Sequence, residues 1–177
     1  MALNFENLEI EGSANIKLFR HNDKRGGFTR LFREQDKLKS KFDFRKVENI
    51  YISQNHQKST LRGFHRQKGK FAESKIMSCI SGSALHVLIR INGKKIEIAR
   101  NLLSYEKGNA TYVPRDCYSA YLTLEDDSTL AYLTDNIYSP EDEDWVRWND
   151  PCLPLIEWPI KPLIISDKDQ STPYKNI

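Results

Sequence analysis

Short runs of apolar residues, either alternating with polar residues or continuous, dominate the middle of the chain. They are rich in β-branched and aromatic residues, which favours strands. These runs are residues 50–53, 75–80, 84–91, 95–100, 110–113 and 129–133. Turn-forming residues separate them, and Asn92-Gly93 between two alternating runs is the strongest hairpin signal. Short strands at regular intervals, without crossover helices, predict an antiparallel all-β fold, either a sandwich or a closed barrel.

The two ends of the chain have different patterns from the middle. Residues 29–39 are the best helix candidate, because Leu31, Phe32 and Leu38 fall on one side of a helix. The tail from Ser139 contains six of the seven prolines, so we expect turns and short helical pieces over the mouth of the barrel. With no repeat, low-complexity tract or Gly/Ser linker, the sequence predicts one domain over residues 1–177.

Composition narrows the classes of protein. With 39% hydrophobic and 29% charged residues the chain has the composition of a soluble globular protein. Its net charge of +3 is too small and too dispersed to indicate a nucleic-acid partner, but it suits a small anionic ligand. The three cysteines lack CxxC or CxxH spacing, which indicates reduced thiols. Neither a signal peptide nor an apolar run of about 18 residues is present, so we expect a cytoplasmic protein without a membrane partner.

The four histidines do not have the spacing of a metal site. They are His21, His56, His65 and His86, and no HxH or HExxH pattern occurs among them. Residues 113–133 contain no histidine at all. A catalytic metal site requires two or three such ligands close together with a carboxylate. The sequence therefore predicts no metal.

One of these histidines lies in a segment that is more informative. On an ideal strand His65 shares a face with Leu61, Gly63 and Gln67, while Arg62 faces the other way. Small and apolar neighbours indicate that His65 points into the barrel. It is then either a core histidine satisfied by one hydrogen bond or a catalytic base.

Two further features bear on that choice. Ser166-Asp167-Lys168-Asp169 follows an apolar run, so its carboxylates can orient His65 as a base, or they belong to an exposed charged turn. Tyr132 lies in an apolar strand and Tyr138 follows six residues later. Either tyrosine has a role in chemistry or simply packs in the barrel.

Seven short motifs occur in sequence along most of the chain, from about Asp23 to Pro173. They are Asp23-Lys24-Arg25-Gly26-Gly27-Phe28, Leu61-Arg62-Gly63-Phe64-His65-Arg66-Gln67, Glu73-Ser74-Lys75, Tyr132-Leu133-Thr134-Asp135-Asn136-Ile137-Tyr138-Ser139-Pro140, Trp148-Asn149-Asp150-Pro151, Trp158-Pro159 and Ser166-Asp167-Lys168-Asp169. In this order and spacing they resemble the dTDP-4-dehydrorhamnose 3,5-epimerase family. The resemblance implies a cupin-type jelly-roll barrel and an isomerase that needs no cofactor. Its substrate would be a nucleotide-linked 4-keto-6-deoxyhexose, epimerised at C3, C5 or both in deoxysugar biosynthesis.

The resemblance also implies roles for four catalytic residues. His65 matches the base that removes the proton next to the C4 ketone, and Asp169 matches the carboxylate that orients it. Lys75 matches the cation that holds the ketone oxygen as an enolate forms. Tyr132 matches the acid that returns a proton from the opposite face.

Other matches concern substrate binding. The predicted binding residues are Arg25 and Arg62 for the diphosphate, Asn55 and Lys168 beside them, and Phe28 and Tyr138 near the nucleotide. In the family the segment that contains Phe28 reaches into the site of the neighbouring subunit, which implies a homodimer.

Three positions depart from the family pattern. His86 stands where the family has an aspartate, Ser119 where it has a histidine and Arg30 where it has a glutamate. His86 and Ser119 fall where the family lines its sugar pocket, so both are candidate substrate-binding residues. They argue against the standard double epimerisation, as Arg30 argues against the usual thymidine recognition.

Several functions stay open from the sequence. A 3,4-ketoisomerase of the same fold needs the same base and enolate stabilisation, and an extra histidine at position 86 favours it. A sugar-nucleotide-binding cupin without catalysis fits the altered Ser119 and His86 positions. A metal-dependent cupin ranks last. The nucleotide (dTDP, CDP or GDP), the sugar and the pathway are not determined.

Overall fold

The computed structural model describes residues 4–33 and 41–175 of the chain, and that part is built mainly from strands. The strands are β1 (Asn4–Asn7), β2 (Ala14–Lys17), β3 (Phe19–Asp23), β4 (Gly26–Arg30), β5 (Asn49–Asn55), β6 (Thr60–Gln67), β7 (Lys75–Ser81), β8 (Ser83–Asn92), β9 (Lys95–Ser104), β10 (Asn109–Val113), β11 (Tyr118–Thr123), β12 (Ser128–Thr134), β13 (Glu143–Trp145) and β14 (Ile164–Ile165). The helical pieces are the 3-10 helices Gly69–Phe71 and Pro140–Asp142 and the helix α1 (Asp167–Ser171). The all-β prediction is confirmed. In these same ranges no helix has the length and apolar character needed to cross a bilayer.

The strands form two large sheets and a separate hairpin. The first sheet has the order β1-β2-β10-β7-β12-β5, and the second has the order β13-β6-β11-β8-β9. Strand β14 pairs with β6 in parallel, beyond the stretch that pairs with β13. Strands β3 and β4 form a two-stranded sheet of their own. The predicted hairpin at Asn92-Gly93 is confirmed, since β8 and β9 pair up to Asn92 and Lys95.

Alternation along each strand places a core between the two large sheets. One buried cluster combines Met77 and Leu130 of the first sheet with Ala84, Leu103 and Tyr121 of the second. Side chains from both sheets meet in this cluster, so it fills the space between them. Burying a side chain of this size stabilises the fold by about 1.5–3 kcal/mol.

Chain segments cover the outer faces of both sheets. Phe42 and Phe44 pack on the first sheet, against residues such as Tyr112. Val146 and Ile156 from the C-terminal tail pack on the second sheet. The tail prediction is thus correct for its short helical pieces, but much of the tail lies on a sheet face and it adds the strands β13 and β14. The covered faces explain why several strands are apolar on both sides.

The predicted helix over residues 29–39 is wrong in its first part. Thr29 and Arg30 belong to strand β4, where they pair with Arg20 and Phe19 of β3. The Arg20 guanidinium also donates to the Thr29 hydroxyl over 3.4 Å. Pairing with β3 satisfies the backbone there and overrides the helical pattern. Residues 31–33 have no regular structure, and the rest of the predicted helix lies outside the described residues.

Candidate active site

Two adjoining cavities open between the sheets. The larger has a volume of about 440 Å³, and all four residues matched to catalysis, His65, Lys75, Tyr132 and Asp169, line it. The smaller, of about 300 Å³, shares His65, Lys75 and Tyr132 with the first. These three side chains therefore stand where the two cavities join.

His65 and Asp169 form a hydrogen-bonded pair at the wall of the larger cavity. The distance from His65 Nε2 to Asp169 Oδ1 is 2.6 Å, and the backbone N–H of Gly63 donates to Asp169 Oδ2 over 3.3 Å. The His65 side chain is 30% exposed, whereas that of Asp169 is 5% exposed. Burial alone would raise the pKa of Asp169, but the hydrogen bond and charge of His65 outweigh it and lower that pKa. The ionised Asp169 carboxylate thus accepts a hydrogen bond from Nε2–H of His65. The lone pair of Nδ1 is then available to accept a proton.

Helix α1 explains how a carboxylate reaches this position. The Ser166 hydroxyl caps the helix by accepting from the backbone N–H of Asp169 over 3.1 Å. Strand β14 pairs with β6 immediately before the helix, through Ile164 and Ile165. The acidic turn is therefore fixed against the strand that carries His65, and it is not a free charged turn.

Strand β6 does not follow the ideal alternation, so the predicted orientation of Arg62 is wrong. Arg62 lines the same cavity as His65. The register between β6 and β11 shifts there, because Ser119 pairs with His65 and Tyr121 with Arg62. One residue of β11, Ala120, thus opposes two of β6, Gly63 and Phe64, which turns Arg62 and His65 to one side.

Lys75 and Tyr132 approach the cavity from the opposite sheet. They lie on the neighbouring strands β7 and β12 of the first sheet, whereas His65 lies on the second sheet. Burial is the main cause that raises the pKa of Tyr132, with a smaller contribution from Tyr121, while Arg62 opposes it. The phenol therefore keeps its proton at neutral pH and can act as an acid.

A polar network holds Arg62. Its Nε donates to Asn55 Oδ1 over 3.0 Å, and the Tyr121 hydroxyl donates to the same oxygen over 3.3 Å. The Tyr121 hydroxyl also lies 2.7 Å from that of Ser53. Asn55 is 3% exposed and does not line the larger cavity, so it fixes Arg62 through this hydrogen bond.

A second group of predicted residues meets around Glu143. Lys168 Nζ lies 3.2 Å from Glu143 Oε2, to which the Tyr138 hydroxyl donates over 3.0 Å. Lys168 also lies 4.0 Å from the centre of the Trp145 ring. Lys168 lines the larger cavity and Tyr138 the smaller one. Glu143 therefore links predicted binding residues of both cavities.

The two departures in the predicted sugar pocket have different positions. Ser119 lines the larger cavity beside His65. His86 is 0% exposed and does not line it, so the prediction that it contacts substrate is wrong for this structure. Burial, with the charge of Lys75, lowers the pKa of His86 to about 3, and within the described ranges neither ring nitrogen has a hydrogen-bond partner. A neutral, enclosed imidazole removes the feature that favoured a ketoisomerase.

Arg25 and Phe28 lie apart from both cavities. They belong to the β3–β4 hairpin, where Phe28 is 70% exposed. The Arg25 side chain, 84% exposed, pairs with Asp23 over 2.7 Å. Neither residue lines a cavity of its own chain.

Sequence reasoning missed Glu73, Tyr121 and Glu143. Glu73 precedes Lys75 by two residues and Tyr121 follows Ser119 by two, so alternation provides a signal for both. Glu143 had no such signal, because it reaches the site only through the pairing of β13 with β6. Among residues 4–33 and 41–175, no group of three or more His, Cys, Asp or Glu side chains is arranged to hold a metal ion.

Comparison with known proteins is consistent with this geometry. A family model described as dTDP-4-dehydrorhamnose 3,5-epimerase matches residues 7–176. The dTDP-4-dehydrorhamnose 3,5-epimerase of Shigella flexneri is 32% identical over 156 residues, which are 83% of this chain and 82% of that relative.

Solved structures agree in fold. A 3′-monoepimerase from Streptomyces bikiniensis in complex with dTDP-quinovose is 31% identical with a TM-score of 0.81, covering 94% of this chain and 85% of its own. A dTDP-4-dehydrorhamnose 3,5-epimerase from Bacillus anthracis with TDP and PPi bound has a TM-score of 0.89 at 23% identity, covering 98% and 100%, and bears on the fold only. The cupin-type fold is thereby confirmed. The chain belongs to the dTDP-4-dehydrorhamnose 3,5-epimerase family, a family of isomerases.

Proposed function

We propose that the protein epimerises a nucleotide-linked 4-keto-6-deoxyhexose at C3, C5 or both, in deoxysugar biosynthesis. The observation that carries this proposal is the arrangement of His65, paired with Asp169, opposite Lys75 and Tyr132 across one cavity. Proton removal and proton return on two faces of a carbon require groups on two sides of the substrate. The two facing sheets supply those sides.

In the proposed reaction the Nδ1 of His65 takes the proton from the carbon next to the ketone. The electron pair of that C–H bond forms a double bond between this carbon and the ketone carbon, and the ketone oxygen becomes an enolate oxygen. The Lys75 ammonium meets this charge from a fixed position, which is usually the largest contribution to such catalysis. The Tyr132 phenol then protonates the carbon from the other side and regains a proton from solvent, while His65 releases the proton that it took to solvent. The inverted carbon therefore acquires a hydrogen that originates in water.

The anionic half of the substrate has its own cations. Arg62 and Lys168 line the larger cavity, and a guanidinium held by Asn55 suits a diphosphate oxygen pair. Tyr138 in the smaller cavity offers an aromatic face to a nucleotide base. The names of the relatives favour dTDP as the nucleotide, with CDP and GDP as the alternatives.

A homodimer would complete the site. Phe28 and Arg25 stand on an exposed hairpin, as expected of residues that enter the cavity of a second copy. Ile50 and Ile52 of the edge strand β5 are 65% and 63% exposed, so a further apolar surface is available for association. The cytoplasmic location and the lack of nucleic-acid or membrane partners stay predictions.

The experiment that tests the catalytic proposal compares two histidine variants in heavy water. His65→Asn removes the base, so hydrogen exchange into dTDP-4-keto-6-deoxyglucose should fall by about 10²–10⁴-fold. His56→Asn is the matched control, because His56 also pairs with an aspartate, Asp127 at 3.6 Å, but is 87% exposed on the surface. Its exchange rate should equal that of the wild type. Equal rates in the two variants would contradict the role of His65.

A further inference from the structure

A buried ion pair stands at the junction of the two cavities. The Lys75 Nζ lies 3.2 Å from Glu73 Oε1, with side-chain exposures of 14% and 6%. Glu73 lines the smaller cavity together with Lys75, Tyr132 and His65. The pair therefore lies beside the groups proposed to move protons, yet Glu73 has no part in the proposed chemistry.

Lys75 needs a counter-charge at this position. An ammonium that is mostly removed from water loses its proton readily unless an opposite charge stabilises it. Within the described ranges, the carboxylate of Glu73 is the one that lies within ion-pair distance of Lys75. Burial raises the pKa of Glu73 itself, and the charge and hydrogen bond of Lys75 oppose that rise.

The other titratable groups around the pair do not replace Glu73. From the neighbouring elements they are Tyr51, His65, Arg66, His86, Tyr132, Asp135, Tyr138 and Glu143, with Arg62, Tyr121, Lys168 and Asp169 around the larger cavity. Burial keeps the four tyrosines and His86 neutral near pH 7. The carboxylates have other partners: Asp135 pairs with Arg115 over 3.0 Å, Glu143 with Lys168 over 3.2 Å and Asp169 with His65 over 2.6 Å. The arginines and Lys168 are cations and cannot stabilise an ammonium. His65 carries no negative charge in any form.

We propose that Glu73 is a positioning residue for Lys75, which keeps the ammonium charged and fixed where the ketone oxygen of the substrate lies. This role rests on the proposed epimerase function. Removing the carboxylate favours the neutral amine, because the buried ammonium loses its partner. The midpoint of Lys75 titration should then fall by about one pH unit or more. A neutral amine stabilises an enolate poorly, so the alkaline limb of activity should move to lower pH by a similar amount.

The test uses Glu73→Gln, which keeps the shape of the side chain, and Glu73→Asp, which keeps the charge. Glu97→Gln is the matched control, because Glu97 pairs with Lys95 at the same two-residue spacing and over 3.1 Å, but with exposures of 25% and 71%. Lys75 titration is followed by NMR of protein labelled with ¹³C-lysine, and its signal is assigned by its loss in Lys75→Arg. The pH profile of hydrogen exchange is measured with dTDP-4-keto-6-deoxyglucose in heavy water. Circular dichroism checks that each variant is folded.

The expected result is a lower Lys75 midpoint and a shifted alkaline limb in Glu73→Gln, both largely restored in Glu73→Asp and absent in Glu97→Gln. The positioning role is overturned if the wild type exchanges hydrogen but Glu73→Gln leaves both the Lys75 midpoint and the alkaline limb unchanged. It is overturned equally if only the Lys75 midpoint shifts. If Glu73→Gln does not fold, Glu73→Ala removes the carboxylate in its place, and an unshifted Lys75 midpoint and alkaline limb in Glu73→Ala overturns the role equally. If the wild type itself shows no exchange, the epimerase proposal fails and the role of Glu73 in positioning Lys75 for catalysis fails with it, while a shifted Lys75 titration in Glu73→Gln would still identify the ion pair.

Discussion

Replacing Gly63 with alanine should destabilise the fold and disrupt the active site together. Gly63 lies in β6 between Arg62 and His65, where the register with β11 shifts. Its φ angle is +119°, a region that side chains with a Cβ rarely adopt. A Cβ there would lie 2.5 Å from the carbonyl oxygen of Ser119 and 2.7 Å from the Cα of Ala120. Both neighbours are backbone atoms of a central strand and cannot move aside alone.

The expected cost follows from those two features. Overpacking a tight site costs about 1–3 kcal/mol, because atoms must shift to admit the methyl group. Holding a residue with a Cβ at this φ costs about 1–3 kcal/mol more. Together they predict a loss of about 2–6 kcal/mol in the free energy of unfolding. For a chain of this size each kcal/mol lowers the melting temperature by about 2–4 °C, so the loss should be roughly 4–24 °C.

Gly93→Ala provides the control for this measurement. Gly93 also has a positive φ, of +57°, but nothing lies within 4 Å of the position a Cβ would take. Its cost should be limited to about 1–2 kcal/mol for the left-handed conformation. Urea unfolding of both variants is followed by circular dichroism. If Gly63→Ala is no less stable than Gly93→Ala, the close approach of β6 and β11 does not shape the site as argued.

Two other outcomes follow from the structure. Asp144→Asn should reduce stability by about 2 kcal/mol near pH 7, since hydrogen bonds from Lys175 and Tyr118 outweigh burial and lower the pKa of Asp144 to about 2. That contribution is present above the ordinary carboxyl pKa of about 4 and is lost as the pH falls toward 2. Urea unfolding should therefore show that the difference in unfolding free energy between wild type and variant shrinks over this pH range. A difference that stays constant would contradict this assignment. Phe28→Ala and His65→Asn should each be inactive alone but recover about a quarter of wild-type exchange after refolding together, because half of the random dimers have one complete site. No recovery, with mixed dimers demonstrated by mass, would contradict a site shared between subunits.

Much of the fold follows from local pattern. The alternating runs around Asn92-Gly93 predicted the β8–β9 hairpin, which the structure confirms. Strand β11 was not predicted, because its sequence has a single β-branched residue, Thr123, and no regular alternation of apolar and polar residues. The hairpin β3–β4 was assigned partly to a helix, since its strands are too polar to give a strand signal and depend on each other for pairing.

In the candidate site too, some residues were predictable from the sequence and others were not. The resemblance picked out His65, Lys75, Tyr132 and Asp169, which the structure brings to one cavity. The orientation of Arg62 could not be read from β6 alone, because it depends on the register with β11. The burial of His86 depends on packing between the two sheets, so its position in the sequence did not distinguish a wall residue from a core residue.

The central claim is that this barrel removes a proton next to the ketone of a nucleotide-linked 4-keto-6-deoxyhexose. Its most direct test is proton NMR of the wild-type protein with dTDP-4-keto-6-deoxyglucose in heavy water, with the CDP and GDP forms in parallel. The account predicts that the signal at C3, at C5 or at both disappears with at least one of the three, as deuterium enters the inverted carbon. Full retention of both signals with all three substrates, while a known family member exchanges them under the same conditions, would contradict it.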